Sequence, residues 1–173
     1  ILGPGRVRKE GTGTWTLSGQ NELSRLLVFD GTVALAGDGT IGADAEVAIA
    51  FGSLDISGIT ADSLAIGDLS DNGAVHLGGK TLEITNGYQV YGGVMDGTGG
   101  VHILGGDGQF SATQLYTGTT TVDAGAGLYL LGFDGGLTGA AQIDGTLDIS
   151  LHAGAARIGG LSGSGTGLLG ANS

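Results

Sequence analysis

The 173-residue chain contains no cysteine and a single proline. The absence of cysteine excludes disulfide bonds and cysteine-ligated zinc sites. Bases are also scarce: six lysines and arginines stand against 17 acids, for a net charge of −11. A surface of that sign repels nucleic acid and anionic membranes. No apolar run approaches the ~20 residues of a membrane helix, and the first residues do not read as a signal peptide. We therefore expect neither nucleic-acid binding nor direct membrane insertion.

Glycine is what the chain has in excess, with 39 residues. This is far above the usual share of about 7%, but the glycines lack the every-third-residue spacing of collagen. The hydrophobic fraction is 40% and the mean hydropathy is +0.27. A disordered low-complexity chain would be poorer in apolar residues. The chain can therefore bury a core, and its glycines are expected to serve turns.

Apolar residues alternate with small or polar ones in runs of four to six residues, the period of a strand with one face buried. Asp-Gly or Asn-Gly often follows, as at Asp30, Asn86 and Asp144. Such dipeptides supply the positive φ that tight turns need. Residues 41–49 and 139–143 contain alanine and acids that could form one helical turn. No longer helix is predicted.

Four short segments return in the same order about 92 to 95 residues later. The pairs are residues 3–7 and 97–101, 13–16 and 108–111, 53–57 and 146–150, and 65–69 and 157–161. A fixed period in a strand-and-turn sequence is typical of a solenoid. We therefore predict a single domain over residues 1–173 with two repeat units, about 3–96 and an incomplete 97–173.

The predicted fold is all-β: a right-handed parallel β-helix (β-solenoid) of about seven or eight coils. The long repeat would equal about four coils of ~23 residues, a plausible coil length for such folds. The inward residues are small and mixed, which suits stacked ladders in a thin core. Short strands with turns could also form a sandwich or a barrel.

Four segments indicate a family. Residues 11–21 read Gly-Thr-Gly-Thr-Trp-Thr-Leu-Ser-Gly-Gln-Asn, and residues 116–125 read Tyr-Thr-Gly-Thr-Thr-Thr-Val-Asp-Ala-Gly. Residues 161–166 read Leu-Ser-Gly-Ser-Gly-Thr, and residues 169–173 look like the opening of a next coil. Together they resemble the passenger-associated β-strand repeats of autotransporters, which Gram-negative bacteria export by type V secretion. Residues 22–29 depart from the signature by replacing its Tyr-Thr-Gly-Gly-Thr-Thr segment.

The resemblance implies a right-handed β-helix exported through the C-terminal outer-membrane β-barrel of a longer parent chain. The segment would then be non-enzymatic and extracellular, displayed at the bacterial cell surface or released by cleavage. It would hold an adhesive tip away from the cell, or bind a protein or glycan of a host or neighbouring cell. Its repeats would also aid secretion, because each coil that folds outside prevents the chain from slipping back.

The sequence predicts no catalytic, cofactor-binding or metal-binding residues. His76, His102 and His152 are too widely spaced to match a local metal motif. His76 and His102 sit in similar contexts and could stack on adjacent coils. Such a pair could bind metal or sense pH, or simply be surface or ladder histidines. The G-x-G-x-x-G match at residues 165–170 lacks the strand and helix that a nucleotide site requires.

An enzyme acting on polysaccharide is the less favoured alternative. Asp38, Asp44 and Glu46 are the nearest candidates for grouped acids, although turn positions explain them better. Asp55 and Asp148 take equivalent repeat positions, which at four coils and ~4.8 Å per coil are too far apart for a glycosidase pair.

Two further patterns stay open at this level. Trp15 and Phe110 take matching repeat positions. They are either a repeated core residue or a platform on which sugars stack. Arg6, Arg8 and Lys9 form either a solvated face or a small anion patch. A last alternative is self-association between copies on neighbouring cells, which added salt or divalent cations should strengthen at a net charge of −11.

Overall fold

The computed structural model describes residues 4–171, which form 21 strands and no helix. These residues therefore contain no helix that could cross a bilayer. In chain order the strands are β1 (Gly5–Lys9), β2 (Thr14–Leu17), β3 (Leu23–Val28), β4 (Thr32–Gly37), β5 (Glu46–Ile49), β6 (Ser53–Ile59), β7 (Ser63–Ile66), β8 (Asp68–Asp71), β9 (Ala74–Gly78), β10 (Thr81–Ile84), β11 (Val90–Tyr91), β12 (Met95–Gly97), β13 (Val101–Ile103), β14 (Asp107–Phe110), β15 (Thr113–Gln114), β16 (Thr120–Val122), β17 (Gly127–Leu130), β18 (Gly136–Ile143), β19 (Thr146–Asp148), β20 (Arg157–Ser162) and β21 (Thr166–Leu168).

The strands pair in parallel and form three sheets that run along the stack. Sheet I has nine strands in the order β1-β3-β5-β8-β11-β14-β17-β19-β21. Sheet II has seven: β7, β10, β13, β16 and β18 follow one another, and β18 also pairs with β15 and β20. Sheet III has five, in the order β2-β4-β6-β9-β12. Because neighbours in each sheet come from successive coils, the chain winds as a solenoid.

The predicted fold class is confirmed, since the stacked parallel coils form a β-solenoid of about eight turns. At ~4.8 Å per strand the stack is about 38 Å long. The predicted coil length is wrong, because the coils are shorter and differ from one another. The coil from Val47 to its partner Leu69 is longer than the coil from Leu64 to its partner Leu82. The coils are short because the turns between sheets consist of very few residues.

The sequence repeat does not coincide with the coils. Three of its four segment pairs are split between different sheets: Val7 and Val101, Trp15 and Phe110, and Leu54 and Leu147. Only the fourth pair shares a sheet, since Ile66 and Ile158 both lie in sheet II. The physical reason is that the offset of the repeat is not a whole number of coils, so the returning segment lies on a different face. Gly3 of the first repeat segment and residues 172–173 of the C-terminal motif lie outside the described residues.

Ladders of stacked aliphatic side chains fill the core. One ladder of sheet II, buried throughout, is Ile66, Ile84, Ile103, Val122 and Ile143. Branched side chains fit such pleated surfaces well. Each new coil covers the ladder ends of the previous one, and apolar burial stabilises by roughly 25 cal/mol per Å². Stability therefore accumulates coil by coil rather than at one central core.

A buried amide replaces the ladder where sheet III ends. Gln114 is fully buried, and its Oε1 accepts from the backbone N–H of Met95 at 2.8 Å. Its Nε2 donates to the carbonyl oxygens of Gly93 at 3.1 Å and Ala112 at 2.9 Å. Buried backbone groups need partners, and this one side chain satisfies three of them.

Lys9 closes the N-terminal end of the core beneath sheet I. The predicted solvated face is wrong for this residue, because Lys9 is only 1% exposed. Its ammonium donates to the carbonyl oxygens of Glu10 (3.0 Å), Gly11 and Asp30 (3.1 Å). It also lies 5.6 Å from the ring centroid of Trp15, within cation–π range. Lys9 follows the outward-facing Arg8 directly, so the alternation of the strand turns its side chain inward.

Glycines at the start of sheet II allow a close approach between coils. A Cβ at Gly118 would lie 2.3 Å from the carbonyl oxygen of Gly99, and one at Gly139 would lie 2.1 Å from that of Gly118. Side chains at these positions would push neighbouring coils apart. The column of stacked glycines continues to Gly159.

We predict that Gly139→Ala destabilises the solenoid by about 1–3 kcal/mol through this overpacking. Gly13→Ala is the matched control, because a Cβ there meets no atom within 4 Å. Urea unfolding followed by circular dichroism measures both. Equal midpoints for the two variants would contradict the close coil contact.

Candidate functional site

The outer face of sheet III carries a histidine between two acids. Asp55, His76 and Asp96 occupy successive positions of one outward row. Nδ1 of His76 lies 3.1 Å from both carboxylate oxygens of Asp96. Asp55 instead accepts from the backbone N–H of Ser57 at 2.9 Å. The row is a partly exposed histidine–carboxylate pair with a turn-forming acid beside it.

His102 lies on a different face, in strand β13 of sheet II. Its Nε2 is 2.8 Å from Oδ1 of Asp123, and Glu83 is its neighbour in the register of β10. The expectation that His76 and His102 stack on adjacent coils is wrong, because they belong to sheets III and II. Their local sequences are similar, but His76 precedes a turn from sheet III to sheet II and His102 follows such a turn.

His152 is buried in the loop between β19 and β20. Its two ring nitrogens lie 3.0 Å from the carbonyl oxygen of Gly154 and 2.8 Å from that of Gly135. The imidazole thus ties together two loops of successive coils, which are also joined by a bridge between Gly132 and His152. This histidine has a structural role.

An acidic pocket of about 310 Å³ lies where sheet I begins in the central coils. It is lined by Asp44, Glu46, Gly67, Asp68, Asn86 and Tyr88. The Tyr88 hydroxyl donates to Oε1 of Glu46 at 2.8 Å. Two of the acids singled out from sequence, Asp44 and Glu46, therefore do share a site. Asp38 is not part of it and accepts from the Thr60 hydroxyl at 2.7 Å, as a turn acid does.

Asp68 is the buried acid of this pocket, at 4% exposure. Burial raises the pKa of its carboxyl above the usual 3.8, and the nearby Glu46 adds to the increase. The backbone N–H groups of Tyr88, Gln89 and Leu69 oppose the increase by hydrogen bonding to the carboxylate. Removal from water wins, so the ionised form of Asp68 is held at a cost in stability.

The remaining acid pair is not a site. Asp55 belongs to sheet III and Asp148 to sheet I, so the prediction of equivalent positions is wrong. Both accept from the backbone N–H two residues ahead, at 2.9 Å in Asp55 and 2.7 Å in Asp148. Their shared Asp-x-Ser sequence encodes the same local turn on different faces.

The bases near the N-terminus form a small patch on the outer face of sheet I. Arg6, Arg8 and Arg25 line a cleft of about 240 Å³ together with Val7 and Leu27. Arg6 and Arg25 are direct cross-strand neighbours, an arrangement of like charges that costs stability. Arg25 has Glu46 at 3.8 Å as its partner in the next strand.

Trp15 and Phe110 have different environments. Trp15 is 45% exposed at the edge of sheet III, whereas Phe110 is 1% exposed inside sheet I. Phe110 packs edge-on against Tyr91, with ring centroids 6.5 Å apart. The prediction that the two occupy equivalent positions is wrong, and no repeated aromatic platform results.

The largest of these depressions is a polar groove along the outer face of sheet II, which we call the sheet II groove. Its volume is about 530 Å³. Its lining residues are Asp62, Ser63, Gly79, Thr81, Glu83, Thr98, Gly99, Gly100, Val101, His102, Gly118, Thr119 and Thr121. They come from four successive coils, so the groove runs parallel to the solenoid axis.

The described residues contain no group of three or more histidines, cysteines or acids that could hold a metal ion. No protein-family model, curated protein or solved structure matches the chain. The resemblance to autotransporter passengers accordingly stays a prediction.

Sequence reasoning missed the sheet II groove and the buried Asp68. A signal for the groove was present, since Glu83, His102 and Thr121 recur at an even interval. The predicted coil of ~23 residues is longer than this interval, so it does not place the three residues in one row. Nothing in the sequence around Asp68 reveals its burial, because Tyr88 and Gln89, whose N–H groups bind its carboxylate, come from the next coil.

We predict that Asp68→Asn raises the melting temperature at pH 7. An acid whose pKa is raised in the folded state favours folding less as pH rises, so the ionised Asp68 lowers stability at neutral pH. The advantage of the variant should disappear as the pH falls below about 4, where the wild-type carboxyl is protonated in both states. Thermal unfolding between pH 3 and pH 8 measures this, with exposed Asp62→Asn as the control. A pH-independent difference would contradict it.

Proposed function

We propose that the chain is a non-enzymatic passenger segment of a Gram-negative autotransporter, displayed at the cell surface as an adhesin scaffold and aiding its own secretion by folding. The observation that carries the proposal is the winding of the chain. Strands pair with the strand one coil ahead, as Leu64 does with Leu82 and Val47 with Leu69. A coil can therefore fold as soon as it and its predecessor have emerged. A chain that leaves a pore end-first needs that property.

Two features of composition support the same proposal. With no cysteine and one proline, no cross-link and almost no rigid turn hinders a chain that crosses a pore unfolded. A net charge of −11 keeps exposed surfaces soluble outside the cell. The motif at residues 116–125 adds the resemblance to known passengers.

The test fuses the chain between an export signal and the C-terminal β-barrel of an autotransporter, and measures protease-accessible chain on intact cells. We expect display of the wild type and a severalfold loss for Val75→Asp. Val75 is fully buried in β9, so a charge there interrupts coil stacking. Val90→Asp is the matched control, because Val90 is 45% exposed.

Two results would overturn the proposal. One is wild-type chain that stays in the periplasm although it folds in solution. The other is equal display of the two valine variants, since export would then be independent of coil folding. Adhesion per displayed molecule, compared with the barrel alone, separates a binding segment from a spacer.

Self-association is the second candidate, and the charge order along sheet I favours it. One outward row reads Arg6, Arg25 and Glu46, and Asp68, which follows in the register, is buried and takes no part in it. If two copies pair side by side in opposite directions, the basic end of each row faces the acidic end of the other. This arrangement is self-complementary about a two-fold axis.

We predict that pairing through this row weakens with salt, the opposite of what net-charge repulsion alone would give. Sedimentation velocity at low and physiological ionic strength measures it. Arg6→Glu should abolish pairing, whereas Arg157→Glu, in β20 of sheet II, should not. A chain that is monomeric at both salt concentrations, or that associates more at high salt, would exclude this arrangement.

A further inference from the structure

The sheet II groove presents two parallel rows of side chains with the spacing of the coils. Glu83, His102 and Thr121 form one row, and they are direct neighbours in the registers of β10, β13 and β16. Ser63 and Thr81 are neighbours in the second row, which continues to Thr119. Four coils at ~4.8 Å give the groove a length of about 14 Å between its end strands.

Glycines form part of the lining of the groove. Gly99, Gly100 and Gly118 line it, and coil stacking forbids larger residues there: a Cβ at Gly99 would lie 1.9 Å from the carbonyl oxygen of Lys80. The glycines therefore have a packing cause. Gly99 and Gly100 are themselves buried, so a ligand in the groove meets the polar side chains of the two rows.

The walls are rich in unused hydrogen-bonding groups. Within residues 4–171 no hydrogen bond engages the side chains of Ser63, Thr81, Thr119 and Thr121, and Glu83 makes neither an ion pair nor a hydrogen bond. His102 is different, because Asp123 holds its Nε2 at 2.8 Å and fixes the ring. Hydroxyls both donate and accept, and a carboxylate only accepts. The groove therefore matches a ligand that is itself rich in hydroxyl groups.

Charge restricts the ligand further. Asp62 and Glu83 line the groove, and no lysine or arginine lines it. Anionic polymers are therefore repelled. No aromatic or exposed large aliphatic side chain lines it either, so the groove offers nothing to bury an apolar peptide side chain.

We propose that the sheet II groove binds an unbranched, uncharged oligosaccharide lying parallel to the solenoid axis. Its volume, about 530 Å³, is within the range of small-ligand sites. Glu83 and His102 contact sugar hydroxyls on one side, and Ser63, Thr81 and Thr119 contact them on the other. The role is binding without turnover. It goes beyond display at a cell surface and does not depend on it.

Purified chain tests this directly, independently of export. The probes are neutral oligosaccharides of three to six units (gluco-, manno-, xylo- and galacto-series), titrated into ¹⁵N-labelled protein. For at least one series we expect saturable amide shifts confined to residues 62–63, 79–83, 98–102 and 118–121. Thr81→Val and Glu83→Gln should each weaken that affinity about fivefold, the effect of one lost hydrogen bond. Thr146→Val is the matched control, because Thr146 is a half-buried outward threonine of sheet I.

Three outcomes would overturn the proposal: no saturable shift with any neutral series, shifts outside those residues, or equal affinity of Thr81→Val, Glu83→Gln and wild type. A trilysine peptide that shifts the groove when no sugar does would assign it to a cationic peptide instead. Because folding of each variant is visible in the same spectra, loss of binding is distinguishable from loss of structure.

Discussion

The distance between successive coils is the constraint on which this structure depends. Parallel main-chain pairing sets it at about 4.8 Å, and every turn must keep the backbones that close. Gly118 and Gly139 satisfy this at the start of sheet II, where no side chain would fit. Where pairing fails, Gln114 supplies the missing hydrogen bonds from its side chain. Many of the glycines are thus a requirement of close stacking.

The same constraint shapes the outer surface. Side chains that alternate outward on successive coils are brought into rows, so residues about one coil apart in sequence become neighbours. The described part of the chain has few bases and no reactive cluster, yet its outer faces differ in the charge and the hydrogen-bonding groups that they carry. Sheet I carries a row that changes from basic to acidic, and sheet II carries hydroxyls, a carboxylate and an imidazole. Function, on this view, depends on which face each row occupies.

The fold class was predictable from sequence because it follows from local features, namely alternation with period two and frequent Asp-Gly or Asn-Gly turns. The candidate sites were not, because they depend on the exact coil length. Coils of unequal length shift the register from one to the next. His76 and His102 therefore lie in different sheets and not in the single row that their similar sequences predict. For the same reason Asp44 and Glu46 share a pocket with Asp68, which the sequence does not predict. Lys9 is a different case, since its inward position follows from strand alternation alone, against the usual preference of lysine for solvent.

The burial of Lys9 gives the first coil a chemical signature. The chain has two lysines, and Lys80 is partly exposed while Lys9 is enclosed by carbonyl oxygens and the Trp15 ring. An amine-reactive reagent will therefore modify Lys80 on the closed protein and reach Lys9 only when the first coil detaches. The ratio of modified Lys9 to modified Lys80 therefore measures how often the first coil detaches from the solenoid, and it requires no engineered label.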